Sequence, residues 1–184
     1  MPDSAPQLTH MGVHARDIHA LAAFYGEVVG LVISDQGRSA RTGMDFVFMT
    51  ADPDKHHQFV LVSGRGADQP STVNQISFRV ASLAAVRAAH DKARAIGATD
   101  IRAINHGNAL SIYVADPEDN SIEIYCDTPW YVPQPFGLAF DFGQSDAAIM
   151  AETEALCRRT PGFATREAWM ASLSARIREK LAAR

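Results

Sequence analysis

The chain holds two cysteines among its 184 residues, Cys126 and Cys157, and they form no metal-binding spacing. Free thiols in a reducing cytoplasm are the simplest reading. Long apolar runs are also missing. None approaches the length of a membrane span, and the opening MPDSAPQ carries no signal-peptide pattern. Charge of one sign is not in excess: 17 Lys and Arg stand against 21 Asp and Glu, interspersed, for a net charge of −4. That balance argues against a nucleic-acid surface and offers a membrane no attraction. A cytoplasmic globular protein is therefore expected. At 47% hydrophobic content it is large enough for one good core.

The organisation then emerges from periodicity. Residues 7–16, QLTHMGVHAR, alternate as a strand does, with Leu8, His10, Gly12 and His14 on one face and Met11 and Val13 on the other. A helix follows from Asp17, a suitable N-cap, with Leu21, Phe24, Tyr25 and Val28 at helical spacing and Gly30 at its end. LVISDQG, MDFVFMT and HHQFVLVSG read as three further strands, and Ser63–Pro70 as a linker. The pattern then begins again. STVNQISFRVAS reads as a strand, SLAAVRAAHDKARAIG as a helix closed by Gly97, and three more strands follow. A shift of 65 residues lays His10 on Gln75, Met11 on Ile76, Val13 on Phe78 and Asp17 on Ser82. Two copies of strand–helix–strand–strand–strand are each too short to bury a sheet alone, so the pair shares one core.

The stretch from His106 to Tyr125 reads as a hairpin of two alternating strands around the turn Asp116–Asn120. Leu110, Ile112 and Val114 share one face, and Ser111, Tyr113 and Ala115 the other. If Ala115 pairs with Ser121, Tyr113 lies opposite Glu123. A buried carboxylate needs a cation, a donor or water, so Glu123 has a partner to find.

LTHMGVHARDIHALAAFYGEVVGL resembles the opening module of the vicinal oxygen chelate superfamily, which includes glyoxalases, bleomycin resistance proteins and extradiol dioxygenases. ALSIYVADPEDNSIEIY resembles that family's closing hairpin, and together the likeness covers roughly two-thirds of the chain. It implies an α+β fold: two paired βαβββ modules forming an open half-barrel, with a C-terminal helical tail. The division expected is a domain over 1–136, with module one at 7–63, a linker at 64–71 and module two at 72–127, then a helical extension over 137–184.

The resemblance also implies a site. By register the family's ligand positions carry His10, Gln75 and Glu123. His/His/Glu is the facial triad of non-haem Fe(II) oxygenases, and Gln75 departs from it, although some glyoxalases use glutamine at a first-strand position. Fe(II) is the metal expected, with Mn(II), Zn(II) and Ni(II) as alternatives. His57 matches an acid–base histidine of biphenyl-diol-cleaving enzymes, a role that suits imidazole. Tyr113 matches their catalytic-site tyrosine, and His106 their substrate-binding histidine, although His57 also reads as a polar strand entrance and His106 as a turn residue. Trp130, Tyr131 and Phe136, in a Pro-rich segment that cannot be regular helix, are expected to wall an apolar ring substrate.

The function implied is an extradiol-type dioxygenase taking a catechol-like diol and O2. Two alternatives stand beside it: a glyoxalase- or epimerase-like lyase or isomerase, and a metal-free module that sequesters an antibiotic. Helices are expected at 145–160 and 165–183, broken at Pro161 and Gly162. In the second, the stripe Trp169, Leu173, Ile177 and Leu181 calls for packing on its own domain or on a homodimer mate.

Overall fold

The computed structural model describes residues 7–182. Module one runs β1 (Met11–Ala15), α1 (Ile18–Phe24), β2 (Val32–Arg38), β3 (Asp45–Thr50) and β4 (Phe59–Ser63). Its sheet has the order β1-β4-β3-β2, with β1 parallel to β4. Asp17 caps α1 by accepting from the backbone N–H groups of His19 and Ala20. The helix widens into a π turn over Tyr25–Val29 and stops at Gly30, whose φ is 87°. Module two repeats this path with β5 (Ile76–Arg79), α2 (Leu83–Ala95), β6 (Thr99–Asn105), β7 (Ala109–Ala115) and β8 (Ser121–Asp127). Here β5 is parallel to β8, and Ser82 caps α2. The two sheets do not close into a barrel.

The apolar alternation ends where the sequence points it. Leu110, Ile112, Val114, Ile122 and Ile124 are all buried, and Leu83, Val86, Ala89 and Ala93 of α2 pack over them. The modules share this core. Tyr25 and Phe59 of module one meet Phe78 of module two, with ring centroids 5.9 and 6.0 Å apart. A polar clamp holds the β7–β8 turn against module one. Glu118 accepts from the backbone N–H groups of Arg16 and Asp17 and pairs with Arg65 at 3.2 Å, both side chains being almost fully buried. Beside it the Tyr25 hydroxyl donates to Asp116, 3.0 Å away.

Three sequence expectations are corrected by pairing. The first strand is Met11–Ala15 rather than 7–16, because its partner β4 begins at Phe59 and offers Leu8 and His10 nothing to bond. His56 and His57 precede β4 for the same reason and lie in the turn before it. Gln75 likewise precedes β5.

The C-terminal region is not helix alone. β9 (Trp130–Tyr131) pairs with β11 (Ala164–Thr165), and β10 (Leu138–Ala139) joins module two's sheet beside β6. α3 (Asp146–Arg159) sends Ile149 into the main core. α4 (Arg166–Ala182) buries no residue. Of its apolar stripe, Ile177 is 49% exposed, while Trp169 stacks on Tyr131. Residue 183, the last of the expected helix, lies outside the described residues.

Candidate active site

The ladders of module two converge on Glu123. Ser77 faces it across β5–β8, and Tyr113 faces it across β7–β8. The carboxylate is 7% exposed. Its Oε1 accepts from Ser111 Oγ at 2.7 Å and Tyr113 OH at 3.0 Å. Its Oε2 accepts from Ser77 Oγ at 2.6 Å and Gln75 Nε2 at 3.0 Å. A carboxylate offers about four lone-pair sites, so these donors fill its capacity.

His106 completes the centre. Its Nδ1 lies 2.7 Å from the carbonyl of Phe136, and a carbonyl only accepts, so Nδ1 carries a proton. Nε2 is then the nitrogen that carries the lone pair. It lies 3.1 Å from Tyr113 OH and 3.7 Å from Glu123 Oε1. The Pro-rich segment fixes this histidine: Gln134 donates to the His106 carbonyl at 2.8 Å and accepts from the Phe136 N–H at 3.0 Å. The turn allows no side chain at Gly107, where φ is 74° and a Cβ would lie 2.5 Å from Val132. Burial, with the charge and hydrogen bond of Glu123 adding to it, pushes the Tyr113 phenol up to about 12. The hydroxyl therefore stays protonated at neutral pH.

A cavity of about 430 Å³ opens over this centre, with Gln75, His106, Tyr113 and Glu123 in its wall. Gln134, Arg166 and Trp169 line it from the C-terminal side. Neither His10 nor His57 lines it. His10 is exposed, 3.2 Å from Thr9 Oγ1, and its ring centroid lies 4.4 Å from that of His57. His56 and His57 face each other with Nδ1 atoms 2.9 Å apart. Desolvation, then the neighbouring His10 and His56, lowers the pKa of His57. The expected aromatic wall is also elsewhere. Trp130 is buried with Val132 and Cys157 in a small second core, against which Phe136 packs. Tyr131 backs Trp169.

Ser77 and Ser111 were legible as partners only through strand alternation, which puts each on the face of Gln75 or Tyr113. Arg166 and Trp169 gave no signal, since nothing in a helical pattern says which sheet the helix will border.

The sequence model of the Glyoxalase/Bleomycin resistance protein/Dioxygenase superfamily matches residues 7–124. The chain belongs to this superfamily. Its members are generally enzymes, and they use divalent metals. No curated protein matches the sequence. Among solved structures, a glyoxylase/bleomycin resistance protein/dioxygenase domain from Frankia sp. EAN1pec is similar at TM-score 0.58 and 16% identity, over 68% of this chain and 100% of that one. The fosfomycin resistance protein FosX from Listeria monocytogenes, complexed with Mn(II) and sulfate, is similar at TM-score 0.53 and 16% identity, over 68% and 95%. A possible glyoxalase from Bacillus cereus is similar at TM-score 0.51 and 23% identity, over 66% and 100%. At these identities the likeness shows the fold.

The residues at the family's ligand positions do not fit a divalent ion as they are arranged. Glu123 has both oxygens filled by hydrogen-bond donors, and Gln75 turns its amide nitrogen, a non-ligand, toward that carboxylate. His10 makes its contacts with Thr9 and His57. Among the described residues no three His, Cys, Asp or Glu side chains stand together as a ligand set.

Proposed function

We propose that this protein catalyses proton transfer at carbon in a small carbonyl compound, a reaction of the isomerase or lyase class. The observation that carries this reading is the placement of His106 Nε2 3.1 Å from the Tyr113 hydroxyl, beside the buried carboxylate of Glu123. Because Nδ1 is committed to the Phe136 carbonyl, Nε2 is the lone pair available to a substrate proton. The C–H electron pair becomes a C=C bond, and the carbonyl oxygen gains the charge. Tyr113, kept protonated, turns its one proton from Glu123 to that oxygen. Glu123 faces the imidazolium from 3.7 Å, and return of the proton to another carbon or face gives the product. Covalent catalysis by thiol has little support, because Cys126 and Cys157 are buried and burial raises both pKa values.

The extradiol reading keeps one specific support, the contact of Tyr113 with Glu123. It also requires His57 at the same centre, and His57 contacts His10 and His56 instead. The test is solvent deuterium incorporation into 2-oxo acids and hydroxyketones, followed by NMR, beside oxygen uptake with catechols. Exchange without oxygen uptake supports proton transfer. Catechol-dependent oxygen uptake without exchange overturns it.

A further inference from the structure

The matched family region ends at residue 124, yet Gln134, Arg166 and Trp169, which lie beyond it, line the cavity over Glu123. What these side chains favour is therefore a property of this chain's own C-terminal region. α4 is anchored at its first residue. The Arg166 N–H donates to the Pro129 carbonyl at 2.9 Å, and its guanidinium reaches Asp127 at 2.8 Å. Asp127 also pairs with Arg79 at 3.3 Å. Asp127 is thus shared by two guanidinium groups, and the Arg166 side chain, 31% exposed, has further N–H donors beyond the one spent on that carboxylate. Trp169 lies three residues further on, on the same helix face. Its indole is braced by Tyr131, nearly parallel at 14° with centroids 5.0 Å apart. A flat apolar wall beside a partly exposed guanidinium, facing a polar centre, suits one kind of molecule.

We infer that the site selects a ring-bearing carboxylate, with its planar ring against Trp169 and its acid group at Arg166. A 2-oxo acid with an aromatic ring also supplies the carbonyl that Tyr113 would polarise, so the inference rests on the same cavity as the proposed reaction. A cavity of about 430 Å³ lies within the usual range for small-molecule sites, roughly 300–1,000 Å³.

The experiment is calorimetric binding of phenylpyruvate, cyclohexylpyruvate, pyruvate and 4-phenylbutan-2-one to the full chain and its variants. The parent is expected to bind phenylpyruvate tightest. Trp169→Leu should weaken phenylpyruvate by about three- to tenfold, the worth of a ring–ring contact, and cyclohexylpyruvate little. Arg166→Gln should weaken both ring acids by about 10- to 100-fold and leave the ketone unchanged, as loss of a charge-assisted pair requires. Arg166→Lys should restore part of that affinity and guards against a folding effect. Equal binding of phenylpyruvate and pyruvate by the parent would overturn the inference, as would variants that weaken all four probes alike. The expected binding pattern with no deuterium exchange would uphold it while defeating the proposed reaction.

Discussion

Module one and module two follow the same path, yet only one of them builds a polar centre. Their central ladders can be laid on each other rung by rung. Gly12 faces Val60 in module one where Ser77 faces Glu123 in module two, with Met11 beside Phe59 and Ile76 beside Ile122 as the neighbouring rungs. The rung that carries a buried carboxylate with four donors in one module carries a valine and a glycine in the other. Three of module one's histidines lie outside its strands, His56 and His57 in the turn before β4 and His10 ahead of β1, while His14 is on β1 and His19 on α1. The repeat therefore fixes where a centre would sit, and the donors available around one position decide whether it holds a charge.

The sharpest way to break this comparison is to exchange the rungs. Val60→Glu puts a carboxylate at a 7% exposed position opposite Gly12, which offers no side-chain donor. It should cost ~3–5 kcal/mol, the scale of an uncompensated buried charge. Glu123→Val leaves the buried Ser111 hydroxyl and its companions without their acceptor and should cost ~2–4 kcal/mol. Both are read from urea unfolding midpoints. A change below ~0.5 kcal/mol in either, the scale of an ordinary surface substitution, would mean that the donor set does not distinguish the modules.

A smaller effect should appear at high pH. Burial, then the charge and hydrogen bond of Asp116, raises the Tyr25 phenol well above its ordinary 10.0. The folded state thus holds this proton more tightly than the unfolded chain does. Its contribution to stability is complete below pH 10 and is lost as pH rises above it. Stability measured from pH 9 to pH 12 should fall, and Tyr25→Phe should flatten that fall. An unchanged slope in the variant would show that the clamp at Asp116 does not couple to the phenol.

The smallest expected effect concerns His57. If the centre belongs to module two, His57→Phe should change the proton-exchange rate by less than about twofold, because the group takes no part in the acid–base step. A loss on the order of 100-fold would bring module one's histidines into the reaction and revive the extradiol reading.

Much of this was legible in the sequence. Alternation in ALSIYVADPEDNSIEIY put Tyr113 opposite Glu123, and the ladder has that register. The caps at Asp17 and Ser82 and the helix end at Gly30 were local chemistry, readable residue by residue. Strand ends were not, because a strand extends only as far as its partner. His10, His57 and Gln75 fell outside their strands for that reason. Asp116 and Glu118 read as a hairpin turn, whereas Glu118 forms a buried pair with Arg65 from the linker between the modules. The aromatic wall was sought in Trp130, but the pairing of β9 with β11 carries that ring into a core and leaves Trp169 on the cavity.

The central claim is that His106 and Tyr113 move a substrate proton beside a hydrogen-bonded Glu123. It is tested most directly by the rate of solvent deuterium exchange into phenylpyruvate above the buffer background, in the presence of a strong chelator. The parent should retain its exchange with the chelator present, and Tyr113→Phe and His106→Gln should each lower it by about 10²–10⁴-fold. Exchange that disappears with the chelator, or that survives both substitutions, would contradict the account.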